Sequence, residues 1–323
     1  MAGVQDSVLT IAVSNAGGLG SLPCGMLRPD GLRAELKSIK SQTRKPFNLN
    51  FFCHTAPEPN LEREAKWRKI LQPYFKEYGL KKSDIPTGSG RIPFNQESAD
   101  LLAEYKPPVI SFHFGLPADS LLAQIKNLGA YVLASATNLE EANGTDAIIA
   151  QGLEAGGHRG IFLNNDLSTQ VPTFELLKQI VGISKLPVIA AGGISTANDV
   201  AKALSLGASA VQIGTAYLLC SETKTSQIQR AAIKSKKPRQ TVITNIFSGR
   251  PARGIENRGI REIGPINADT PEFPLAAAAI SALRTKAEAV GVDDFTPLWC
   301  GENISGCSEI PAAELTRLLV TEL

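Results

Sequence analysis

Residues 187–215 read PVIAAGGISTANDVAKALSLGASAVQIGT, and this stretch decides the fold. A continuous apolar run, Pro187–Ala191, ends in the pair Gly192-Gly193. Helical spacing follows over Thr196–Leu206 and closes at Gly207. A second apolar run, Ala210–Ile213, then leads into Gly214 and Thr215. Strand, glycine turn, helix, glycine, strand is the order of a βαβ unit. Runs without polar alternation suit parallel strands covered by helices on both faces. Gly207 is placed to take the left-handed conformation that ends a helix, and Ser195 is expected to cap the helix start.

The same alternation extends upstream. Candidate strands are Phe47–Cys53, Val109–Phe114, Tyr131–Ala136 and Ala147–Ala150, with a short one near Gly20–Cys24. Candidate helices are Pro29–Thr43, Ala118–Leu128, Asn138–Ala142 (capped by Asn138) and Val171–Ile183; Gly129 closes the second as Gly207 closes the last. Seven strands result, and every glycine-rich or polar segment falls at a strand's C-terminal end. That is where (β/α)8 barrels place their active sites, often with a phosphate site after the last two strands. The expected fold is therefore α/β, a TIM barrel lacking its first strand. The chain opens with Met1-Ala2-Gly3 and a helical stretch from about Ser7 to Asn15, so we expect the first strand upstream of Met1, the chain beginning late in its gene.

Two segments depart from the alternation. Residues 55–108 form a long insertion, a candidate lid. It holds an aromatic stripe (Trp67, Ile70, Leu71, Tyr74, Phe75, Tyr78) that reads as packing, and then the Pro/Gly/Ser stretch Pro86–Pro93. Residues 222–323 read as a small, mainly helical second domain at the barrel mouth, with Ala276–Ala289 its clearest helix; residues 1–221 make the barrel.

Composition narrows the function. The chain has 323 residues, is 43% hydrophobic and carries a net charge of +2. That balance gives no electrostatic case for nucleic acid. The basic run Lys234–Arg239 reads as a loop or helix end. No apolar run reaches the roughly 18 residues of a membrane span, and no signal peptide opens the chain. Five scattered cysteines without a CxxC pair, and three histidines, predict neither disulfides nor a metal site and suit a cytoplasmic protein.

The chemistry concentrates in Ala150–Gly160, which offers Gln151, Gly156, Gly157 and His158 just past a strand. Glycines let backbone approach a flat or phosphorylated ligand, and histidine titrates near neutral pH. Backbone amides at Gly192-Gly193 and at Gln212, Ile213, Gly214 and Thr215 suit a phosphate. His113 sits in an otherwise apolar strand, and His54 is open between core and site. Arg250 and Arg253 suit an anionic substrate or structural ion pairs. Cys53 reads as a small core residue.

These segments resemble the nitronate monooxygenase family, formerly called 2-nitropropane dioxygenases. The likeness is carried by Ala150–Gly160, Pro187–Ile194, Val211–Thr215, Met1–Gly3, Ala12–Gly20, Phe47–His54, Val109–Gly115, Arg250–Arg253 and Leu298–Gly301. Ser-Phe-His-Phe-Gly and Arg-Pro-Ala-Arg point to its class I branch. The resemblance implies a TIM barrel holding FMN noncovalently. It implies oxidation of alkyl nitronates, such as propionate 3-nitronate, by O2 to a carbonyl compound and nitrite, without metal or NAD(P)H. Carried over, Met1, Ala2 and Gly3 meet the flavin ring. Asn50 and Gln151 contact it. Gly156 and Gly193, with Gln212, Ile213, Gly214 and Thr215, cradle the phosphate, and Gly157 and Gly192 belong to the same cofactor site. His158 is implied as the base, or the electrostatic partner, at the nitro-bearing carbon, and His113 as a substrate contact. The expected partners are a small nitronate or nitroalkane and O2, in a monomer or homodimer. Two other readings stand beside this one. One is an FMN-dependent NAD(P)H reductase, similar to enoyl-ACP reductase II or NADH:quinone reductases. The other is a truncated, non-catalytic remnant.

Overall fold

The computed structural model describes residues 1–323 apart from 87–90, 142–144, 165 and 237–238. In chain order the described elements begin with α1 (Ser7–Asn15), β1 (Gly20–Pro23), α2 (Pro29–Gln42), β2 (Phe47–Phe52), α3 (Leu61–Glu77), α4 (Gln96–Tyr105) and β3 (Val109–His113). There follow α5 (Asp119–Asn127), β4 (Tyr131–Ala136), β5 (Ala147–Gln151), β6 (Gly157–His158), α6 (Thr173–Ile183), β7 (Val188–Ala191), α7 (Ala197–Ser205) and β8 (Ala210–Gln212). The last are α8 (Gln227–Ile233), β9 (Thr241–Thr244), β10 (Ala252–Ile255), α9 (Arg258–Ile263), α10 (Ala277–Ala289) and α11 (Ala312–Leu318).

β1, β2, β3, β4, β5, β7 and β8 pair in that order, all parallel, as the TIM-barrel reading requires. Among the described residues no register joins β8 back to β1. Side chains alternate across a strand, and the burial follows. Ile148, Ala150, Val188 and Ala190 pack outward against Leu176, Leu177 and Ile180 of α6 and Val200 and Ala203 of α7. Their neighbours Leu133, Ala147, Ile149 and Ala191 fill the interior. Leu49, Phe51, Ile110 and Phe112 do the same against α2, α4 and α5. Each such side chain stabilises by roughly 1.5–3 kcal/mol when fully buried. The interior face of the early strands is polar instead. Asn48 Nδ2 donates to Ser21 Oγ and Ser111 Oγ, both at 2.8 Å.

Gly129 and Gly207 close α5 and α7 at φ +82° and +98°. The cap of α7 is Thr196 rather than Ser195: Thr196 Oγ1 accepts from Asp199 N, and Asp199 accepts back from Thr196 N, a capping box. The helix expected over Asn138–Ala142 does not form in its described part. Asn138 Oδ1 accepts from the amides of Glu140 and Glu141, making a local turn that competes with helix; Ala142 lies outside the described residues. So do parts of Pro86–Pro93 and of the Lys234–Arg239 run.

The aromatic stripe of α3 is indeed packing. Trp67 and Leu71 are buried against Ile280 and Leu283 of α10 and against Phe295, with Tyr74 edge-on to Phe295 at 5.1 Å. Residues 222–323 also contain two strands that the spacing did not reveal. β9 and β10 pair antiparallel, and β10 pairs with β6 through Ala252↔His158 and Arg253↔Gly157. This small sheet ties the C-terminal part of the chain to the loop that carries His158.

Candidate active site

The inward-facing residues at the C-terminal ends of β2 to β5 are Asn50 and Phe52, His113, Ser135, and Gln151. Period-two alternation puts each of them in the barrel interior, while their apolar neighbours face the helices. Asn50 Nδ2 donates to Ser111 Oγ at 2.9 Å. Gln151 is buried, with both ends of its amide engaged: Nε2 donates to the His158 carbonyl at 3.0 Å, and Oε1 accepts from Gly160 N at 2.6 Å.

His113 Nε2 lies 3.1 Å from the same His158 carbonyl, and its Nδ1 lies 2.9 Å from Ser135 Oγ. His158 is therefore gripped by its main chain from β3 and β5 together. Its ring is held separately, with Nε2 2.8 Å from Ser248 Oγ. Arg159, wholly buried, folds the loop beneath: Nη1 donates to Ala155 O at 2.8 Å, Nη2 to Gly152 O at 2.6 Å, and Nε to Gln170 Oε1 at 2.9 Å. Burial holds both His113 and His158 below the usual histidine range, the former at about 3, and the cations Arg91 and Arg250 add to this at His158. Both rings are neutral at pH 7.

An aromatic cage surrounds these rings. Phe114 lies 4.5 Å from His113, 5.8 Å from His158 and 6.4 Å from His54. It holds that place at φ +72°, a left-handed conformation that a bulky residue rarely adopts. Such strain persists where surrounding structure over-determines it, often at functional sites. Phe273 stands 5.4 Å from His158 and Trp299 also 5.4 Å. All three histidines of the chain thus meet at one place.

The predicted cradle residues form a second, adjoining group. Gly192 and Gly193, at φ +120° and +67°, turn the chain beside Ala155 and Glu154. Gly156 lies against the backbone of Cys300 and Gly301, and Gly301 N donates to Thr215 Oγ1 at 3.0 Å. Gly157 has open space around it. Gln212 ends β8 paired with Ala191, and Ile213 packs into the outer core. Met1 lies against Gly214, while Ala2 packs with Phe52, Phe114 and Phe273. The turn closed by Val4 N to Met1 O, with Gly3 at φ +85°, therefore spans the cradle and the cage.

Sequence reasoning missed several members. Ser248 lies in the Ser-Gly-Arg-Pro segment and Phe114 in Ser-Phe-His-Phe-Gly, but nothing in the spacing assigns them to His158; Arg250 is already a candidate anion contact from the sequence. Arg91, Phe273, Ser135 and Arg159 carry no local signal. Arg250 and Arg253 separate: Arg253 pairs with Glu302 at 2.9 Å and donates to Leu153 O, whereas Arg250 lies over Phe114 at 4.2 Å and makes no ion pair among the described residues.

Comparison with known proteins places the chain in a family. A family model described as nitronate monooxygenase matches residues 1–322. A nitronate monooxygenase of Paraburkholderia phytofirmans is 41% identical, covering 100% of this chain and 90% of the relative. One of Pseudomonas aeruginosa is 39% identical, covering 100% and 94%. Among solved structures, a nitroalkane oxidase from Streptomyces ansochromogenes matches with TM-score 0.90 at 34% identity, covering 100% of this chain and 93% of that one. FabK from Thermotoga maritima matches with TM-score 0.72 at 27% identity, covering 100% and 90%. The chain is an oxidoreductase and belongs to the nitronate monooxygenase family.

Proposed function

We propose that the protein binds FMN and oxidises alkyl nitronates with O2, yielding a carbonyl compound and nitrite, with His158 at the nitro-bearing carbon. The observation that carries this reading is the placement of a neutral, doubly anchored His158 in an aromatic cage beside a cradle of unused backbone donors. Among the described residues, the amides of Gly193, Gly214 and Thr215 meet no acceptor, and Gly193 turns at φ +67°. Amides left in this way suit a phosphate. On this reading a flat ring system passes the Met1–Gly3 turn and Asn50 between that cradle and His158. A bound flavin supplies the oxidation and the reaction with O2 that side chains cannot.

His158 acts through its protonation state. Ser248 has one hydroxyl proton and two acceptors in reach, His158 Nε2 at 2.8 Å and Arg250 O at 3.2 Å. When the proton goes to Arg250 O, His158 donates through Nε2–H and Nδ1 carries the free lone pair. That tautomer can accept the acidic proton of a neutral nitroalkane. Toward a nitronate, already deprotonated, His158 serves as a polar partner. His113, with both nitrogens committed, contributes by holding the His158 main chain.

Purified protein should be yellow, consume O2 with ethylnitronate and release nitrite. Flavin-loaded protein without such turnover overturns the reading. Rapid flavin bleaching on anaerobic mixing with NADH would assign a reductase instead.

A further inference from the structure

Three side chains in the cage carry polar atoms without a well-formed hydrogen bond. Arg91 Nη1 and Arg250 Nε are shielded from solvent without a hydrogen-bond partner, and neither ring nitrogen of His54 makes a well-formed one, the Arg91 main chain being its nearest. His54 is only 4% exposed. Arg91 lies over the Phe273 ring at 5.1 Å and Arg250 over Phe114 at 4.2 Å. Those two rings are 5.2 Å apart, and His54 is 4.8 Å from Phe273. Neither arginine has an ion pair among the described residues. The nearest acidic influence on Arg250 is Glu141, whose carboxylate already accepts from Thr137 N, Thr137 Oγ1, Phe162 N and Leu163 N.

A buried charge without a counter-ion is costly. Stacking on aromatic faces offsets part of that cost; Arg250 Nη2 donates to Ile161 O at 2.5 Å, but Arg250 Nε and Arg91 Nη1 stay unused. The fork of a guanidinium matches a planar group with two oxygens. Elsewhere in this chain buried arginines are satisfied. Arg159 binds three protein oxygens, and Arg253 binds Glu302 and main-chain carbonyls. Arg63 Nε also lacks a partner, but Arg63 pairs with Glu272; only in the cage do such arginines also lack an ion pair among the described residues.

We infer that Arg91, Arg250 and His54 form an oxyanion subsite that receives a planar two-oxygen group of the substrate, either the nitronate oxygens or a carboxylate on the same molecule. The identity of that substrate rests on the function proposed above; the anion chemistry does not. The subsite also explains how His158 gains basicity at the right moment. An anion between Arg91 and Arg250 screens the two cations that disfavour its protonated form.

The test uses the flavin-loaded enzyme with two unreactive anions: nitrate, planar like the nitro group, and butyrate, a plain carboxylate. Calorimetry should show wild type binding at least one of them, and that anion should compete with ethylnitronate. Arg91→Gln and Arg250→Gln should each weaken it about tenfold or more, with partial recovery in Arg91→Lys. The substrate arm compares kcat/KM for ethylnitronate and propionate 3-nitronate. Equal losses in the variants assign the nitronate oxygens, and a loss about tenfold larger for propionate 3-nitronate assigns the carboxylate. Wild type that binds neither anion at millimolar concentration, or variants with unchanged affinity, overturns the proposal. Calorimetry on wild type decides the matter even where a variant misfolds. An enzyme that binds these anions yet turns over no nitronate refutes the proposed reaction and leaves the subsite standing.

Discussion

His113 Nε2 sits 3.1 Å from the carbonyl oxygen of His158, an atom that can only accept, so the proton of the neutral His113 ring is on Nε2. Nδ1 then accepts from Ser135 Oγ at 2.9 Å. On the proposed function, His113 then serves as a positioning residue rather than the substrate contact the family resemblance implies. His113→Phe removes the donor while keeping the ring, and should lower kcat about tenfold with KM nearly unchanged. His113→Gln keeps an N–H for the His158 carbonyl and should recover most of that loss. Steady-state kinetics with ethylnitronate distinguish them. Equal losses in both variants, spread over KM, would instead favour direct substrate contact.

The barrel strands were legible because burial on both faces leaves unbroken apolar runs closed by glycine. Val188–Ala191, closed by Gly192-Gly193, carries that mark in full, whereas Phe47–Phe52, Val109–His113 and Tyr131–Ala136 are interrupted by inward polar residues and were legible through their alternation with helices. The small sheet was not. β6 has two residues, and its partner Ala252 lies far along the chain, in a strand whose Arg253 is buried only because β6, β9 and Glu302 cover it. His158 stood out by its Gly-Gly setting, and its immediate sequence announced the loop. Ser248, Arg91 and Phe273 reach it only through the fold, from segments that local periodicity cannot connect.

Stability should fall on acidification between neutrality and about pH 4. Burial lowers the pKa of His54 to about 4 and of His113 to about 3, and pushes His158 well below its usual range. Below an unfolded-state pKa of about 6.5, the unfolded chain binds these protons and the folded chain does not. Unfolding free energy therefore rises with pH across this window, by up to about 1.4 kcal/mol per histidine per pH unit. Urea denaturation at pH 7, 5.5 and 4.5 measures it. Replacing His54 with Phe should flatten the slope, and an unchanged slope would contradict the neutral assignment.

His158→Asn removes the lone pair proposed to accept a proton. With nitroethane, which must lose its proton on the enzyme, kcat/KM should drop about 100-fold or more. With ethylnitronate, already ionised, the drop should be several times smaller. Ser248→Ala leaves the imidazole but frees Nε2, and should cost about 1 kcal/mol, roughly fivefold, on nitroethane. Nitrite release with both substrates provides the comparison. Equal sensitivity of the two substrates to His158→Asn would exclude a base role.

Gly156 and Gly157 are adjacent but needed for different reasons, and their alanine variants should separate. A Cβ on Gly156 would stand 2.4 Å from Gly301 N and 2.6 Å from Cys300 C, both backbone. Neither atom can yield without moving the Trp299–Gly301 turn, and Gly301 N is bonded to Thr215 Oγ1 in the cradle. Overpacking of this kind costs about 1–3 kcal/mol, and on the proposed reading it reaches the phosphate end of the FMN site. Gly157 has open space around it but φ +73°, so alanine meets only left-handed backbone strain of about 1–2 kcal/mol. Gly156→Ala should therefore lower both the urea midpoint and FMN affinity, whereas Gly157→Ala should lower the midpoint and leave FMN affinity closer to wild type. Fluorescence titration of FMN into the stripped proteins, beside urea denaturation, tests the contrast, and equal FMN affinity in the two variants would separate Gly156 from the cradle.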